Sequence, residues 1–233
     1  MKRPFADRTS AGRELAAAFA RHLGREDVVV LGLPRGGVPV AYEVARSLGA
    51  PLDALVVRKL RAPGHEELAI GAIASGGVRV LNDEVVSGLG LGPAVVEAVA
   101  ERELAELQRQ ERLYRDGCDP LPVEGRNTVV VDDGLATGAT MRAAVMALRR
   151  RRARSIVVAL PISVRRSCAE IAELVDDLVC ARTPERLVAV GAWYEDFASV
   201  SDEEVRHLLE QVRDGFRGAA TPREQRPRLR ELG

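Results

Sequence analysis

With 233 residues, 46% of them hydrophobic and only 3% aromatic, the chain can bury one large core of mostly aliphatic side chains, and its length suits one α/β domain with a small appendage. Lys+Arg and Asp+Glu both number 34, so the formal net charge is zero, which argues against bulk electrostatic binding to nucleic acid or to an anionic membrane. Cys118, Cys168 and Cys180 are odd in number and form no CxxC pair, and the opening MKRPFADRTS has no apolar run behind its charges. No disulfide framework, zinc site, signal peptide or membrane span is indicated, and a soluble cytoplasmic protein is expected.

In chain order, SAGRELAAAFARHLG (10–24) predicts a helix opened by Ser10 and closed by Gly24. DVVVLGL (27–33) predicts a buried strand, VPVAYEVARSLG (38–49) a helix ending at Gly49, and DALVVRK (53–59) a second strand. Residues 60–77 hold Pro63, Gly64, Gly71, Gly76 and Gly77 with little periodicity, which predicts a loop with one short strand at most, followed by the strand VRVLN (78–82). The longest helix is expected from Pro93 to Tyr114, with Val96, Val99, Ala100, Leu104 and Leu107 on one face. After a turn-rich connector at 118–126 come the strand TVVVDD, a helix from about Gly138 to Arg150, the strand SIVVALPI (155–162), a helix at 165–174 and strands near 177–181 and 187–190. SDEEVRHLLEQVR (201–213) predicts a helix with a Ser201/Glu204 capping box. Apolar strands that run continuously between helices imply a mainly parallel sheet covered on both faces. The domain is expected to span 1–214, with a disordered tail at 215–233. The run Arg149 to Arg152 is expected to be a solvated helix end, where cations suit the dipole.

The most informative stretch is NTVVVDDGLATGAT (127–140), a buried strand that ends in two adjacent carboxylates followed by a loop of small residues. In an open parallel sheet, ligands lie outside the carboxyl ends of the strands. Asp132 and Asp133 at such an end suit vicinal hydroxyls, or a metal that the ligand also binds. GLATGAT leads into a helix, and small residues let backbone N–H groups reach an anion there, with the Thr137 and Thr140 hydroxyls adding hydrogen bonds. No Gly-Lys-Ser/Thr follows, so this is not a Walker loop. Carboxylates for a diol beside a loop for a monophosphate describe a ribose 5-phosphate.

VVVDDGLATGAT resembles the signature of type I phosphoribosyltransferases, in which strand, acid pair and a loop ending Thr-Gly-x-Thr occur together. The resemblance implies that fold, an α/β domain with a mainly parallel sheet and a small hood. It implies that Asp132 and Asp133 hold the ribose hydroxyls of phosphoribosyl pyrophosphate, and that Gly134, Leu135, Ala136, Thr137, Gly138, Ala139 and Thr140 grip its 5′-phosphate. Mg²⁺ is the implied cofactor, with Asp132 or Asp133 near its shell, directly or through water. GLPRGGVPVA (32–41) stands where the family keeps a pyrophosphate loop, with Arg35 for charge and Gly36 and Gly37 for close backbone approach. VVRKLRAPGHEE (56–67) is similar to the Arg-Lys that precedes the mobile loop of the adenine and orotate enzymes, so Arg58 and Lys59, with Asp133, are the expected catalytic residues and 60–75 the expected lid; Arg61 and His65 match only loosely.

Ala136 occupies the position where enzymes for 6-oxopurines carry an aspartate, which disfavours hypoxanthine and guanine. VAVGAWYEDF (188–197) falls where the family places its base-binding hood, so Trp193 or Tyr194 could stack on a base and Glu195 or Asp196 accept from it, or Trp193 and Phe197 could simply pack the hood. Over about 4–213 the chain is similar to prokaryotic phosphoribosyltransferase-like proteins with no established substrate. The expected function is a Mg²⁺-dependent transfer of ribose 5-phosphate to a nitrogenous base by a homodimer, without nucleic-acid or membrane partners. The alternative is a phosphoribosyl pyrophosphate or nucleotide sensor that kept the binding loop without catalysis. A phosphosugar hydrolase would need a water-activating group that the sequence does not show.

Overall fold

The computed structural model describes residues 3–19, 27–136 and 138–219. In chain order its elements are α1 (Arg8–Ala18), β1 (Val28–Gly32), α2 (Gly37–Leu48), β2 (Leu52–Ala54), β3 (Val57–Ala62), β4 (His65–Ala74), β5 (Val78–Leu81), α3 (Asp83–Gly88), α4 (Pro93–Arg115), β6 (Asn127–Val131), α5 (Ala139–Arg150), β7 (Ser155–Ile162), α6 (Arg165–Ala172), β8 (Asp177–Arg182) and α7 (Asp202–Ala219), with a 3₁₀ turn at Val190–Trp193. A five-stranded parallel sheet runs β2-β1-β6-β7-β8, and a separate antiparallel sheet runs β3-β4-β5. Gly24, expected to close the first helix, and the expected tail from 220 onward lie outside the described residues.

Successive side chains on a strand point to opposite faces, and this period sorts the central strands into two layers. Val30, Val129, Val131, Val157 and Ala159 join one apolar cluster with α1, α2, α4 and α7. Val29, Leu31, Val130, Ile156, Val158 and Leu160 join the other with α5 and α6. Nearly every residue of β6 and β7 is buried, as the unbroken apolar runs require.

The elements depart from the sequence expectations in four places. The expected strand 53–59 is divided, because β2 pairs with β1 while β3 turns into the second sheet. Residues 60–77 are largely strand rather than loop: β3 pairs with β4 across a bulge near Arg61, and Leu60, Ala62, Ile70 and Ile73 pack against the α4 layer. Their glycines and the bulge hide the two-residue period from a sequence scan. No strand forms at 187–190, where the chain instead enters the 3₁₀ turn. α1 starts earlier than expected, with Asp7 as its cap: Ser10 N donates to Asp7 Oδ1 at 2.6 Å and Asp7 N donates to Ser10 Oγ at 3.0 Å, so Ser10 is the inner partner of a reciprocal cap. The Ser201 cap forms as expected, with Glu204 N donating to Ser201 Oγ at 3.0 Å.

No helix among the described residues is long and apolar enough to cross a membrane. All three cysteines are free thiols.

One buried ion pair ties β2 of the parallel sheet, and the connector after α4, to the end of α4. Arg115 Nε lies 3.2 Å from both oxygens of Asp53, Arg115 Nη2 donates to Ala54 O at 3.1 Å, and Leu121 N donates to Asp53 Oδ2 at 3.0 Å. Both side chains are about nine-tenths buried, at 10% and 9% exposure. Breaking one half of such a pair strands the other charge. Asp53→Ala is expected to lower unfolding stability by about 3 kcal/mol in denaturant titration. The double replacement Asp53→Leu with Arg115→Met should recover most of that loss.

Candidate active site

After β1 the chain passes through α2 to β2 on one side, and after β6 it passes through α5 to β7 on the other. The loops leaving β1 and β6 therefore part in opposite directions, and the crevice between them at the carboxyl ends is where an open parallel sheet binds its ligand. Residues 33–36 and 132–138 are these two loops.

Asp132 and Asp133 follow the last residue of β6. Asp132 Oδ1 accepts from Asp133 N at 2.9 Å. Asp133 falls on the α1 side, continuing the alternation of Val129 and Val131, and its Oδ2 accepts from Arg8 Nε at 2.9 Å. Among the described residues no donor reaches the second oxygen of either carboxylate, so two oxygens from adjacent acids stay open to a diol. Burial and the neighbouring Asp133 hold the Asp132 carboxyl well above the usual carboxylate range. Burial also raises Asp133, and the Arg8 guanidinium opposes that rise.

The small-residue loop is pinned from below. Leu135 N donates to Ile162 O at 3.0 Å, Ser163 Oγ donates to Leu135 O at 3.1 Å, and Ser167 Oγ donates to Ala136 O at 2.8 Å. Gly138 takes φ +74°, a left-handed turn suited to glycine, and opens α5 without a side-chain cap. The N–H groups of the first turn of α5 thus face the crevice as unsatisfied donors, which suits an anion. Ala139 and Thr140 form that turn; Thr137 lies outside the described residues.

The β1 loop is fitted onto the acids through its glycines. A Cβ on Gly36 would sit 2.0 Å from Asp133 Oδ2, and one on Gly37 would sit 2.7 Å from Val131 O and 2.9 Å from Asp132 Cα. Only glycine allows the two loops to touch in this way. The Pro34–Arg35 peptide bond is cis. Arg35 is exposed at the loop's tip, close enough to the Tyr114 hydroxyl to oppose the rise that burial imposes on it.

Other expected residues are placed differently. Arg58 belongs to α4's surface: its Nε donates to Glu103 Oε2 at 2.7 Å. Lys59, next along β3, projects to the opposite face and is exposed, with no carboxylate in ion-pair reach among the described residues. Tyr194 has no free ring face for a base. It is buried between Phe5 and Phe197, with ring centroids 5.3 and 4.9 Å away, and its hydroxyl donates to Asp133 O at 2.5 Å. Trp193 is half-buried against the same cluster, while Glu195 and Asp196 are exposed. Backbone bonds from Phe5 N to Trp193 O and from Glu195 N to Phe5 O, both 2.8 Å, bind the hood to the amino-terminal segment.

Sequence reasoning missed Arg8. Its guanidinium joins Asp133, the Ala198 carbonyl at 2.7 Å and the Phe197 ring, 3.9 Å from the centroid. The partners stand at least 125 residues away in the chain, and an arginine at a helix start carries no local signal of that role. Ser163 and Ser167 were also missed, since each acts on a carbonyl in another element.

Asp132 and Asp133 are the carboxylates available to a cation here, and among the described residues no group of three or more His, Cys, Asp or Glu could hold one. That donor set fits Mg²⁺, which is commonly bound through one or two carboxylates together with substrate phosphates.

Comparison with known proteins agrees with this geometry. The family model described as phosphoribosyl transferase domain matches residues 7–192. Provisionally named phosphoribosyl transferases from two strains of Mycobacterium tuberculosis are 50% identical over 212 residues, covering 91% of this chain and 48% of each relative. The chain thus spans about half the length of the curated relatives it matches. The crystal structure of TT1426 from Thermus thermophilus is 40% identical, covers 89% of this chain and 98% of its own, and superposes with a TM-score of 0.79. A Neisseria gonorrhoeae protein solved with bound ppGpp shares the fold at 16% identity and a TM-score of 0.50, with 91% and 98% coverage. With the family model covering most of the chain and the acid pair and loop placed as the sequence signature requires, the protein belongs to the phosphoribosyl transferase family.

Proposed function

We propose that this chain transfers ribose 5-phosphate from phosphoribosyl pyrophosphate to a nitrogenous base. The observation that carries the reading is the pair of open carboxylate oxygens of Asp132 and Asp133 beside the uncapped first turn of α5, with the β1 loop packed against both acids. In the reaction the bond from C1′ to the pyrophosphate oxygen breaks, pyrophosphate leaves with the electron pair, and a ring nitrogen of the base bonds to C1′ and loses its proton.

Asp132 and Asp133 accept from the ribose hydroxyls. The backbone of Gly138, Ala139 and Thr140 binds the 5′-phosphate, and the β1 loop with Arg35 binds the pyrophosphate end. Positioning and charge stabilisation are the protein's main contributions, because no covalent nucleophile is needed. Mg²⁺ bound at Asp132 and Asp133, directly or through water, would supply positive charge to the departing pyrophosphate. Of Arg58 and Lys59 on β3, Lys59 is free to reach the leaving group, whereas Arg58 first has to release Glu103. The β3–β4 hairpin carries Lys59 and would serve as the lid that excludes water. Trp193, Glu195 and Asp196 border the acceptor side, and Ala136, exposed in the phosphate loop, favours adenine, a pyrimidine or another base over hypoxanthine and guanine.

The test is a titration of phosphoribosyl pyrophosphate with Mg²⁺, followed by a screen of bases for pyrophosphate release. Asp132→Asn with Asp133→Asn is expected to weaken binding by about a hundredfold or more, and equal affinity would overturn the assignment. Tight binding without release on any base would identify a sensor instead.

The same carboxyl gives a pH signature. A group whose folded pKa is raised contributes stability that is complete below its unfolded value and lost as pH rises through the folded one. Ligand-free Asp132→Asn should therefore melt above the parent at pH 8 in calorimetry, with the gap closing toward pH 4. A variant that melts below the parent at pH 8 would show that the charged form is held favourably.

Arg58 and Lys59 should separate kinetically. Lys59→Ala is expected to lower kcat on the order of a hundredfold with little change in ligand affinity. Arg58→Ala should act mainly on thermal stability through Glu103. Equal loss of affinity and kcat for Lys59→Ala would assign it to ground-state binding.

A further inference from the structure

Arg149, Arg150 and Arg152 of the run that closes α5 are exposed, as expected of a solvated helix end, whereas Arg151 departs from it. Arg149 Nη1 lies 3.0 Å from Asp176 Oδ2, Arg150 donates to the Arg79 carbonyl, and Arg152 Nη1 lies 3.4 Å from Glu124 Oε1. The Arg151 side chain has no hydrogen-bonding or ion-pair partner among the described residues. It is half-buried and turns into a pocket of about 400 Å³ between the last turns of α4 and the turn joining β4 to β5. Gln108, Arg112 and Arg115 line it from α4, and Ser75 and Gly76 from the turn.

The charges at this pocket do not cancel. Arg115 is matched by Asp53 and by Glu111, whose Oε1 lies 2.9 Å from Arg115 Nη1. Arg112 is exposed at the rim with no carboxylate in ion-pair reach among the described residues, and Arg151 lies inside. Burial and the Arg115 guanidinium both press the Arg151 pKa down, with Asp53 and Glu111 opposing. A half-buried guanidinium facing an open pocket beside a second one lacks an acceptor, and its planar fork matches an anion with several oxygens.

We propose that this pocket is a second anion site, which takes a phosphate-bearing small molecule between Arg151 and Arg112 with Gln108 as a neutral partner. It is separate from the crevice at the acid pair: the phosphate loop enters the amino end of α5, Arg151 follows its carboxyl end, and the 12 residues between them span roughly 18 Å. The pocket's small volume favours a small ligand over a polymer, which would need a continuous basic surface. This inference does not depend on the reading of the loop at 132–140.

Equilibrium dialysis of the full chain with labelled inorganic pyrophosphate tests it. Two classes of site are expected, of which phosphoribosyl pyrophosphate, whose pyrophosphate end occupies the β1 loop in the proposed reaction, displaces one. Arg112→Ala with Arg151→Met, which keeps an apolar stem at 151, should weaken the non-displaced class about tenfold or more at an unchanged melting temperature. Should that variant fail to fold, Arg112→Glu, a reversal on an exposed side chain, is expected to weaken the same class. A non-displaced class that is absent from the wild type, or unchanged in the folded variants, overturns the proposal. If phosphoribosyl pyrophosphate displaces nothing while the variants still lose their pyrophosphate, the pocket is upheld and the assignment of the crevice at the acid pair fails.

Discussion

A carboxylate at the end of a buried strand must be compensated, and the Asp133 carboxylate organises the surroundings of the crevice through that need. Arg8 supplies the charge from the start of α1. Phe197 covers the guanidinium, and Tyr194 binds the Asp133 carbonyl and packs on Phe5. Amino terminus, central strand and carboxy-terminal hood, remote from one another in sequence, thus meet around one acid. In the ligand-free protein Arg8 occupies one Asp133 oxygen, so the acid is oriented while its other oxygen stays open. Compensation is partial, since burial still raises both acids of the pair. Residual strain of this kind is typical of a site arranged for a ligand rather than for stability.

The same logic, applied to cations, separates structural from functional charge elsewhere. Arg115 is buried, and its ties to Asp53, Glu111 and the Ala54 carbonyl satisfy it completely enough to make it part of the scaffold. Arg58 is paired to Glu103 and belongs to the packing of β3 on α4. Packing leaves Lys59, Arg35 and Arg151 without a carboxylate in ion-pair reach among the described residues. Charge that the fold has not already used is available to a ligand.

Close approach of backbone is the other constraint. Gly36 and Gly37 bring the β1 loop against Asp133 and Asp132 at distances that a Cβ would forbid, while Gly134 meets Val190 and Ile162 in the same way below the phosphate loop. These contacts couple the β1 loop, the acid pair and the hood by close packing, alongside the hydrogen bond from the Tyr194 hydroxyl to Asp133 O. Rigidity on this side contrasts with the β3–β4 hairpin, whose tip at Pro63 and Gly64 is exposed.

The parallel sheet, the position of the acid pair and the nature of the loop after it were legible in the residues alone, because they depend on local information: unbroken aliphatic runs, two carboxylates at a strand end, and small residues before a helix. Gly36 and Gly37 could be located in the same way, though not what they touch. The β3–β4 hairpin was misjudged because a bulge and glycines erase the two-residue period, and the 187–190 segment because its apolar run enters a 3₁₀ turn instead of pairing. Folding in three dimensions was needed to show that Arg8 holds Asp133, that Tyr194 is enclosed, that Arg58 is held by Glu103, and that Arg151 alone of its run turns inward. In each case the deciding partner lies in another element, and charge compensation and burial act through space rather than along the chain.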